Sequence, residues 1–280
     1  MITSKLYNGV LMPRLGLGTF LVKDGESAYH TALHALQVGY RHIDTAQMYQ
    51  NEASIGQAIV DSKIPREEIF ITTKQRGHST PEKMRRQFEE SLAKLQTSYV
   101  DLYLIHWPNH DKKINQQTWA LFEELYKEKK VRAIGVSNFQ RHHIEDLMET
   151  ATIRPMVNQV ELHPGLSQVP LQNYLISQGI QIESYGPLMK GGVFEGIWQE
   201  GLSKIAEDHN ATIPQIIIAW GLARNVIMIP KSVTPSRIEE NFKAKEIILT
   251  DEEIETINQL NRGKRVYTDS DNSPWGPYTE

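Results

Sequence analysis

The chain has 280 residues and a mass of 32.1 kDa, a length that allows one or two domains. Hydrophobic residues make up 40% of it and charged residues 23%, so the chain can bury a sizeable core and keep a solvated surface. The net charge of −4 offers no basic surface for nucleic acid or anionic lipid, and the absence of cysteine excludes disulfides, zinc–thiolate sites and cysteine nucleophiles.

Short apolar runs recur along the chain and predict strands. Near the start of the chain, an Asn-Gly turn within residues 6–10 predicts a small hairpin. Eight apolar runs follow, and they cover residues 15–19, 40–44, 69–74, 100–106, 131–138, 156–161, 180–185 and 226–230. Most of these runs are continuous rather than alternating, which is typical of parallel strands that are buried on both faces.

Helix signals lie between these runs. Thr80 and Thr234 are each followed by proline, a pattern that predicts an N-cap and the first helical position. Residues 250–253 spell a capping box, T-D-E-E, before another helical pattern. Because strand and helix signals alternate, the sequence predicts an α/β fold. We expect residues 1–280 to form a single (β/α)8 TIM barrel domain with a short N-terminal β-hairpin.

A doubly wound sheet is the main alternative fold. Its dinucleotide-binding turn would need the pattern G-x-G-x-x-G, whereas this chain has Gly16, Gly18 and then Leu21 at the third position. Two glycines alone are weak support for that turn. We therefore interpret them as part of a close turn at the first strand of a barrel.

The sequence also predicts where the protein works. No apolar run approaches the roughly 18 residues that a membrane-spanning helix needs, and residues 1–5 lack an apolar signal core. We therefore expect a cytoplasmic protein that binds neither membrane nor nucleic acid. We also expect a monomer without an obligate protein partner.

Titratable residues stand at the ends of successive predicted strands. Asp44, Lys74 and His106 end the second, third and fourth strands, and Tyr49 lies shortly after Asp44. Each residue alone has an ordinary structural explanation, such as a turn cap or a packed aromatic ring. Together they are harder to explain structurally, because buried charges must be paired. Barrel enzymes work at the carboxyl ends of their strands, so we expect these side chains to share one pocket.

These four residue types form a device that donates a proton. A tyrosine has an unperturbed pKa of about 10, and a nearby ammonium group favours its ionised form. An aspartate beside the lysine keeps the lysine charged, and a histidine can orient a substrate carbonyl. The device protonates an oxygen atom on which negative charge develops. It needs no metal and contains no protein nucleophile, so an external electron donor is implied.

Polar residues at the ends of the next strands are candidates for binding that donor. Ser137 and Asn138 end the fifth predicted strand with a hydroxyl and an amide, which suit a carboxamide group, and Gln159 is placed similarly on the sixth strand. Tyr185 ends the seventh strand with a ring that can stack on an aromatic ring. Turn chemistry or barrel packing explains each of these residues equally well.

A phosphate site is predicted near the last strand. Lys231 and Ser232 lie just before a predicted helix start, and Arg237 lies in its first turn. Backbone N–H groups, the helix dipole, two cations and a hydroxyl therefore converge there. Arginine adds a bidentate geometry that suits phosphate. The alternative is an ordinary capped helix that carries surface cations.

Four segments of the sequence resemble characteristic segments of the aldo-keto reductase superfamily. Residues 39–46 read G-Y-R-H-I-D-T-A and are followed by Glu52, and they resemble the family signature around its aspartate and tyrosine. Residues 104–108 resemble the histidine strand of the family. Residues 131–139 and 229–242 resemble its two other signatures. The chain is similar to bacterial members such as 2,5-diketogluconate reductase and glyoxal or methylglyoxal reductase.

This resemblance implies an NADPH-dependent carbonyl reductase that transfers hydride to an aldehyde or ketone and forms an alcohol. Small aldehydes, dicarbonyls and keto-sugars are the expected substrates. By position, Tyr49 is the implied proton donor, and Lys74 with Asp44 tunes it. His106 would orient the carbonyl group. The implied NADPH-binding residues are Ser137, Asn138, Gln159, Tyr185, Leu188, Lys231, Ser232, Val233, Arg237, Glu240 and Asn241. The implied substrate-binding residues are Phe20, Val22, Trp107 and Asn109.

Several positions depart from the commoner pattern of the family. Residues 75–77 read Q-R-G, where many relatives have an apolar residue and then a bulky group. Gly186 stands where serine is frequent, which puts one cofactor contact in doubt. Residues 189–192 are expected to form a loop over the cofactor pyrophosphate. The tail is short, although Trp275 could still reach the substrate pocket.

Two other functions remain open at this point. A Schiff-base aldolase would also use a lysine at the end of a barrel strand, here Lys74. Its pairing with Asp44 disfavours this role, because a salt-bridged ammonium is a poor nucleophile. The second alternative is an NADPH-binding regulatory or structural protein on the same scaffold, since one fold can carry unrelated functions.

Overall fold

The computed structural model of the chain describes residues 2–272, and Trp275 lies outside them. Two sheets are present in this range. The first is an antiparallel hairpin of β1 (Thr3–Lys5) and β2 (Leu11–Pro13). The second has eight parallel strands, which are β3 (Leu17–Gly18), β4 (His42–Asp44), β5 (Phe70–Gln75), β6 (Val100–Ile105), β7 (Val131–Ser137), β8 (Val157–Glu161), β9 (Gln181–Tyr185) and β10 (Ile227–Met228).

The eight-stranded sheet closes on itself. Its strands are neighbours in chain order from β3 to β10. A parallel bridge between Leu15 and Met228 joins the first strand to the last, and the Gly18 amide donates to the Pro230 carbonyl oxygen at 3.1 Å. The predicted (β/α)8 barrel and its eight strands are therefore confirmed. The first and last strands of this sheet, β3 and β10, are shorter than predicted, because an isolated bridge rather than a continuous ladder joins them.

Ten helices lie between and after the strands in the described residues. They are α1 (Glu26–Val38), α2 (Glu52–Asp61), α3 (Pro81–Lys94), α4 (Lys112–Lys127), α5 (Arg141–Met148), α6 (Val169–Ser177), α7 (Gly196–Asp208), α8 (Ile213–Ala223), α9 (Pro235–Lys243) and α10 (Asp251–Asn258). One helix follows each strand from β3 to β8, and two follow each of β9 and β10. A search of the described residues finds no helix long and apolar enough to span a bilayer.

The helix starts that the sequence predicts are confirmed. The Thr80 side chain caps α3 by accepting from the Lys83 amide, and α10 begins with the full capping box at Thr250. Thr234 is also the N-cap residue of α9, but its side chain makes no capping bond. Its own amide donates to the Ser232 hydroxyl at 3.1 Å instead. The turn before α9 is therefore closed by the hydroxyl of Ser232 and not by that of the N-cap residue.

The predicted hairpin is confirmed and contacts the amino-terminal side of the barrel. In its turn Gly9 has a φ of +91°, and the Leu6 amide donates to the Val10 carbonyl oxygen at 2.9 Å. The side-chain amide of Asn8 donates to the carbonyl oxygen of Arg132, at the start of β7, at 2.9 Å. Because this contact lies at the beginning of a strand, the hairpin is remote from the carboxyl ends of the strands.

Two glycines of the first strand are needed for close packing rather than for a turn. A Cβ atom at Gly16 would lie 2.6 Å from Nδ1 of His42, and one at Gly18 would lie 2.6 Å from the Ile229 carbonyl oxygen. Neither glycine has a positive φ. Gly18 lies in β3, and the Gly16 amide donates to the Met228 carbonyl oxygen at 2.9 Å, so both glycines lie where the barrel closes and the interpretation of a close turn is wrong. The lack of side chains at these two positions makes room for the buried His42 ring and for the closure of the barrel.

Candidate active site

Four of the side chains singled out in the sequence meet at the carboxyl end of the barrel. Asp44 ends β4, Lys74 lies in β5, and Tyr49 ends a short 3-10 helix, Gln47–Tyr49, that follows β4. Lys74 Nζ donates to Asp44 Oδ1 at 2.6 Å and to the Tyr49 hydroxyl oxygen at 3.2 Å. The rings of Tyr49 and His106 lie 5.6 Å apart between centroids. The structure thus brings all four side chains together.

The Lys74 ammonium is fully buried and has a hydrogen-bond acceptor for each of its three protons. Besides Asp44 and Tyr49, it donates to the Thr45 carbonyl oxygen at 3.0 Å. Burial by itself lowers the pKa of Lys74, but the neighbouring Asp44 and Tyr49 outweigh this effect and raise it above its usual value. The lysine is therefore charged at neutral pH and is held in one direction.

Tyr49 and His106 are both neutral at neutral pH in this site. Burial raises the pKa of Tyr49 to about 12, although Lys74 acts in the opposite direction. The expected effect of the lysine is present, but desolvation of the phenolate is larger. Burial and the nearby Lys74 charge hold the pKa of His106 well below its usual value. The phenol therefore keeps its proton at neutral pH.

Asn51 ties the loop that carries Tyr49 to the loop after β3, and it was not predicted from the sequence. Its side-chain amide is fully buried. Its Oδ1 accepts from the Thr45 hydroxyl at 2.7 Å, and its Nδ2 donates to the carbonyl oxygens of Thr19 and Val22, both at 3.0 Å. These bonds join the loop after β3 to the loop after β4. The only signal in the sequence was an asparagine next to a helix start.

A second layer of polar side chains lies behind Asp44. Gln159, on β8, donates from Nε2 to Asp44 Oδ2 at 2.7 Å and to Glu183 Oε2 at 2.8 Å. Glu183, on β9, is fully buried, and its Oε1 lies 3.7 Å from Nε2 of the buried His42. Neither Glu183 nor His42 was predicted as a site residue, although each is a titratable residue inside an apolar strand.

The polar residues at the ends of β7, β8 and β9 also meet. The Asn138 side chain donates from Nδ2 to the His106 carbonyl oxygen at 2.9 Å, and its Oδ1 accepts from the Tyr185 hydroxyl at 2.6 Å. The Ser137 hydroxyl donates to the Gln159 carbonyl oxygen at 2.9 Å. Asn138 has a φ of +65°, a left-handed conformation that asparagine tolerates well. The amide and hydroxyl groups of these residues therefore lie close together beside His106.

Cations lie near the start of α9, as the sequence predicts. Lys231 and Arg237 are both exposed, and neither forms an ion pair with another residue in the described range 2–272. Ser232 lies between these two residues in the chain and is buried. Its hydroxyl accepts from the Thr234 amide. Glu240 lies one turn further along α9 and accepts from the Thr212 hydroxyl. The start of this helix therefore offers two cations that form no ion pair with a carboxylate of residues 2–272.

Comparison with known proteins agrees with this geometry. The model of the aldo/keto reductase family matches residues 14–262 of the chain. The chain belongs to the aldo/keto reductase family. It is 47% identical over 268 residues to a glyoxal reductase of Bacillus subtilis, an alignment that covers 94% of each protein. It is also 42% identical over 271 residues to a methylglyoxal reductase of Escherichia coli, covering 95% of this chain and 96% of that one.

A solved structure from the same family supports the fold assignment. It is an aldo-keto reductase from a deep-sea metagenome library of the Medee basin, which superposes on this chain with a TM-score of 0.92 at 46% identity. The superposition covers 97% of this chain and 99% of the other. Membership of the aldo/keto reductase family suggests a nicotinamide cofactor.

The departure of this aldo/keto reductase at Gly186 has a structural cause. Gly186 has a φ of +62°, and a Cβ there would lie 2.4 Å from the ring of Tyr267. Lys190, in the loop expected to cover the pyrophosphate, donates to the Val266 carbonyl oxygen at 2.9 Å and lies over the Tyr267 ring. Buried Glu161 accepts from the Val266 amide at 2.6 Å. The segment at 266–267 occupies the space that a serine side chain would need.

The side chains expected to bind substrate separate into two groups. Trp107 lines a narrow cleft together with His106 and Met48, and the Phe20 ring lies 5.2 Å from the Tyr49 ring. Two other expected residues, Val22 and Asn109, are only 3% and 2% exposed. The unusual segment at 75–77 forms part of the cleft wall. The structure therefore places polar backbone and an arginine where many relatives carry bulky groups.

Proposed function

We propose that this protein is an NADPH-dependent reductase of small aldehydes, dicarbonyls or keto-sugars. The observation that carries the proposal is the contact of Lys74 Nζ with both Asp44 and the Tyr49 hydroxyl, beside His106, which also lines the cleft. The relatives named as glyoxal and methylglyoxal reductases support dicarbonyls as the first substrates to test. The polar groups at the ends of β7 and β8 fit a nicotinamide carboxamide.

The chain's own residues would position and protonate the carbonyl group. When bound, the reduced nicotinamide supplies the hydride. Neutral His106 can donate a hydrogen bond that directs the carbonyl oxygen toward Tyr49. The Tyr49 hydroxyl then gives its proton to that oxygen as negative charge develops on it, and the Lys74 ammonium stabilises the phenolate that remains. Asp44 keeps Lys74 charged and fixes its direction.

The cofactor-binding residues are proposed from their positions around this site. Ser137, Asn138 and Gln159 would hold the carboxamide group, and Tyr185 would stack on the nicotinamide ring. A second group would hold the rest of the cofactor: Leu188, Lys231, Ser232, Val233, Arg237, Glu240 and Asn241. The exposed, unneutralised cations at the start of α9 are the reason for preferring NADPH, because its additional phosphate would bind there.

The two alternative functions are less well supported by the geometry. A Schiff base forms from a neutral amine, whereas the Lys74 ammonium has three acceptors and a raised pKa. An inactive cofactor-binding protein would not need Tyr49, His106 and a buried Lys74–Asp44 pair in one place. Carbonyl reduction uses all four side chains.

A substrate panel tests the proposed function. NADPH oxidation is followed with small aldehydes, dicarbonyls and keto-sugars, and turnover is expected with at least one of these classes. Tight NADPH binding without turnover on the whole panel would instead favour the non-catalytic alternative. Trapping of substrate on Lys74 with borohydride, without NADPH, would favour the aldolase.

Replacing Arg237 by alanine is expected to weaken NADPH binding about 10–100-fold and NADH binding by less than about twofold. The reason is that a charge-assisted hydrogen bond to phosphate contributes about 1.5–3 kcal/mol, and only NADPH has the additional phosphate. Dissociation constants are measured by tryptophan fluorescence for both cofactors. Lys243→Ala, at the exposed opposite end of α9, is the matched control. Equal losses for the two cofactors would remove Arg237 from the phosphate site.

A further inference from the structure

The deepest part of the site contains a carboxyl group that the proposed mechanism does not use. Glu183 is fully buried, and its Oε2 accepts from Gln159 Nε2 at 2.8 Å. The same Nε2 donates its other proton to Asp44 Oδ2 at 2.7 Å. Gln159 thus connects the catalytic carboxylate to a second buried carboxyl group on the neighbouring strand.

This arrangement determines which way the Gln159 amide points. An amide can rotate by half a turn and exchange its donor and acceptor ends, and the two ends differ little in shape. Here both neighbours, Asp44 Oδ2 and Glu183 Oε2, are acceptors. A rotated Gln159 would direct its carbonyl oxygen at two carboxyl oxygens, which is repulsive in a buried site. Nε2 therefore faces the two carboxyl groups, and Oε1 is the end of the amide that does not bond to them.

We propose that Glu183 is a positioning residue that holds the Gln159 amide so that Oε1 accepts an N–H of the nicotinamide carboxamide. The inference rests on the proposed function, because it assumes that a nicotinamide binds. No donor among residues 2–272 bonds to Gln159 Oε1, so this acceptor is available. Asp44 alone would engage one N–H of Gln159 and leave the other without a partner. With Glu183 both are engaged.

The charge balance of the interior agrees with this role. Groups from three strands face Glu183: Asp44 and His42 on β4, Lys74 on β5 and Gln159 on β8, and Tyr49 lies above them. One ammonium faces two carboxyl groups there. Glu183 Oε1 has no hydrogen-bond partner among the described residues, so an ionised carboxylate would be poorly stabilised. Burial and the Asp44 charge raise the pKa of Glu183 to about 8.

Glu183 is therefore neutral at pH 7, and its Oε2 accepts from Gln159 Nε2. Because the folded protein holds this proton up to a pH of about 8 and the unfolded chain releases it near 4.5, the contribution of Glu183 to stability is fully present below pH 4.5. It falls as the pH rises through this window. In Glu183→Gln no proton is held, so this fall should be smaller when urea unfolding is measured at several pH values.

Two substitutions at Glu183 separate its proposed role from general packing. Glu183→Met has a similar length but no acceptor, whereas Glu183→Gln retains an acceptor oxygen that can face Gln159. Each variant is titrated with NADP⁺ and with its acetylpyridine analogue, whose acetyl group has no N–H to donate. The dissociation constants are measured by tryptophan fluorescence, and folding is checked by thermal unfolding.

The unchanged protein is expected to bind NADP⁺ about tenfold more tightly than the analogue, as one hydrogen bond predicts. Glu183→Met should lose most of this preference by weakening NADP⁺ alone, and Glu183→Gln should keep it within about twofold. An unaltered preference in Glu183→Met, or equal losses for both dinucleotides, would overturn the proposal.

If Glu183→Met does not fold, Gln159→Leu is used in its place. Gln159→Leu should remove the preference for NADP⁺ over the analogue. A preference that persists in Gln159→Leu also overturns the proposal, because Oε1 is then not the acceptor. Failure of the unchanged protein to bind either dinucleotide would instead overturn the proposed function itself, and with it this inference.

Discussion

Replacing Tyr49 by phenylalanine is expected to lower the turnover number for a reducible aldehyde about 10²–10⁴-fold, the usual contribution of a positioned general acid. The substitution removes the only atom that carries the transferable proton and leaves the ring against Phe20 and His106. The Lys74 ammonium keeps its bonds to Asp44 and Thr45. The affinity for NADPH should therefore stay close to that of the unchanged protein.

Steady-state kinetics and cofactor titration test this result together. Tyr29→Phe is a matched control, because Tyr29 also donates a hydroxyl to an acidic partner, Asp61, but lies on α1 away from the site. It should leave turnover unchanged. Near-normal turnover in Tyr49→Phe would contradict the role of Tyr49 as the acid. A parallel loss of cofactor affinity would indicate that the ring had moved.

Replacing Lys74 by methionine should affect both stability and activity. Breaking a buried ion pair by removing one partner costs about 3–5 kcal/mol, because the remaining charge loses its compensation. Here the remaining group is Asp44, whose side chain is only 3% exposed. The variant should also lose most of its turnover, since no cation is left to stabilise the phenolate of Tyr49. Urea unfolding and aldehyde reduction measure the two effects.

A double variant separates the stability effect from the catalytic one. In Lys74→Met with Asp44→Asn, the buried charge is absent, so a large part of the lost unfolding free energy should return. Turnover should stay low, because Tyr49 still lacks its cation. Recovery of turnover in the double variant would contradict the role proposed for Lys74. Undiminished stability in Lys74→Met alone would contradict the buried ion pair.

Much of the fold could be predicted because its signals are local. Continuous apolar runs, the proline after Thr80 and the capping box at Thr250 each act within a few residues, and the structure contains every element that they predicted. The four candidate catalytic residues could be predicted for a related reason. Parallel strands place their carboxyl ends on one side of a barrel, so residues at those ends can be expected to meet.

The turn interpretation of Gly16 failed because the reason for that glycine lies elsewhere in the chain. The His42 ring fills the space that a side chain at Gly16 would occupy. Gly186 is similar, since the Tyr267 ring packs against it from a segment much later in the sequence. A single sequence shows that a glycine is present. It does not show which distant atom requires it.

The sequence by itself therefore determined the order of strands and helices, the barrel, the candidate residues Asp44, Lys74 and His106 near strand ends, and Tyr49 shortly after one of them. These follow from short-range periodicity and from one rule of parallel sheets. Only the tertiary structure decided what lies behind them. Gln159 and Asp44 are 115 residues apart in the chain, on β8 and β4, and their hydrogen bond exists only once the barrel has closed. The protonation states of Tyr49 and Glu183 are also tertiary properties. They depend on how completely water is excluded and on which single cation the buried acids share.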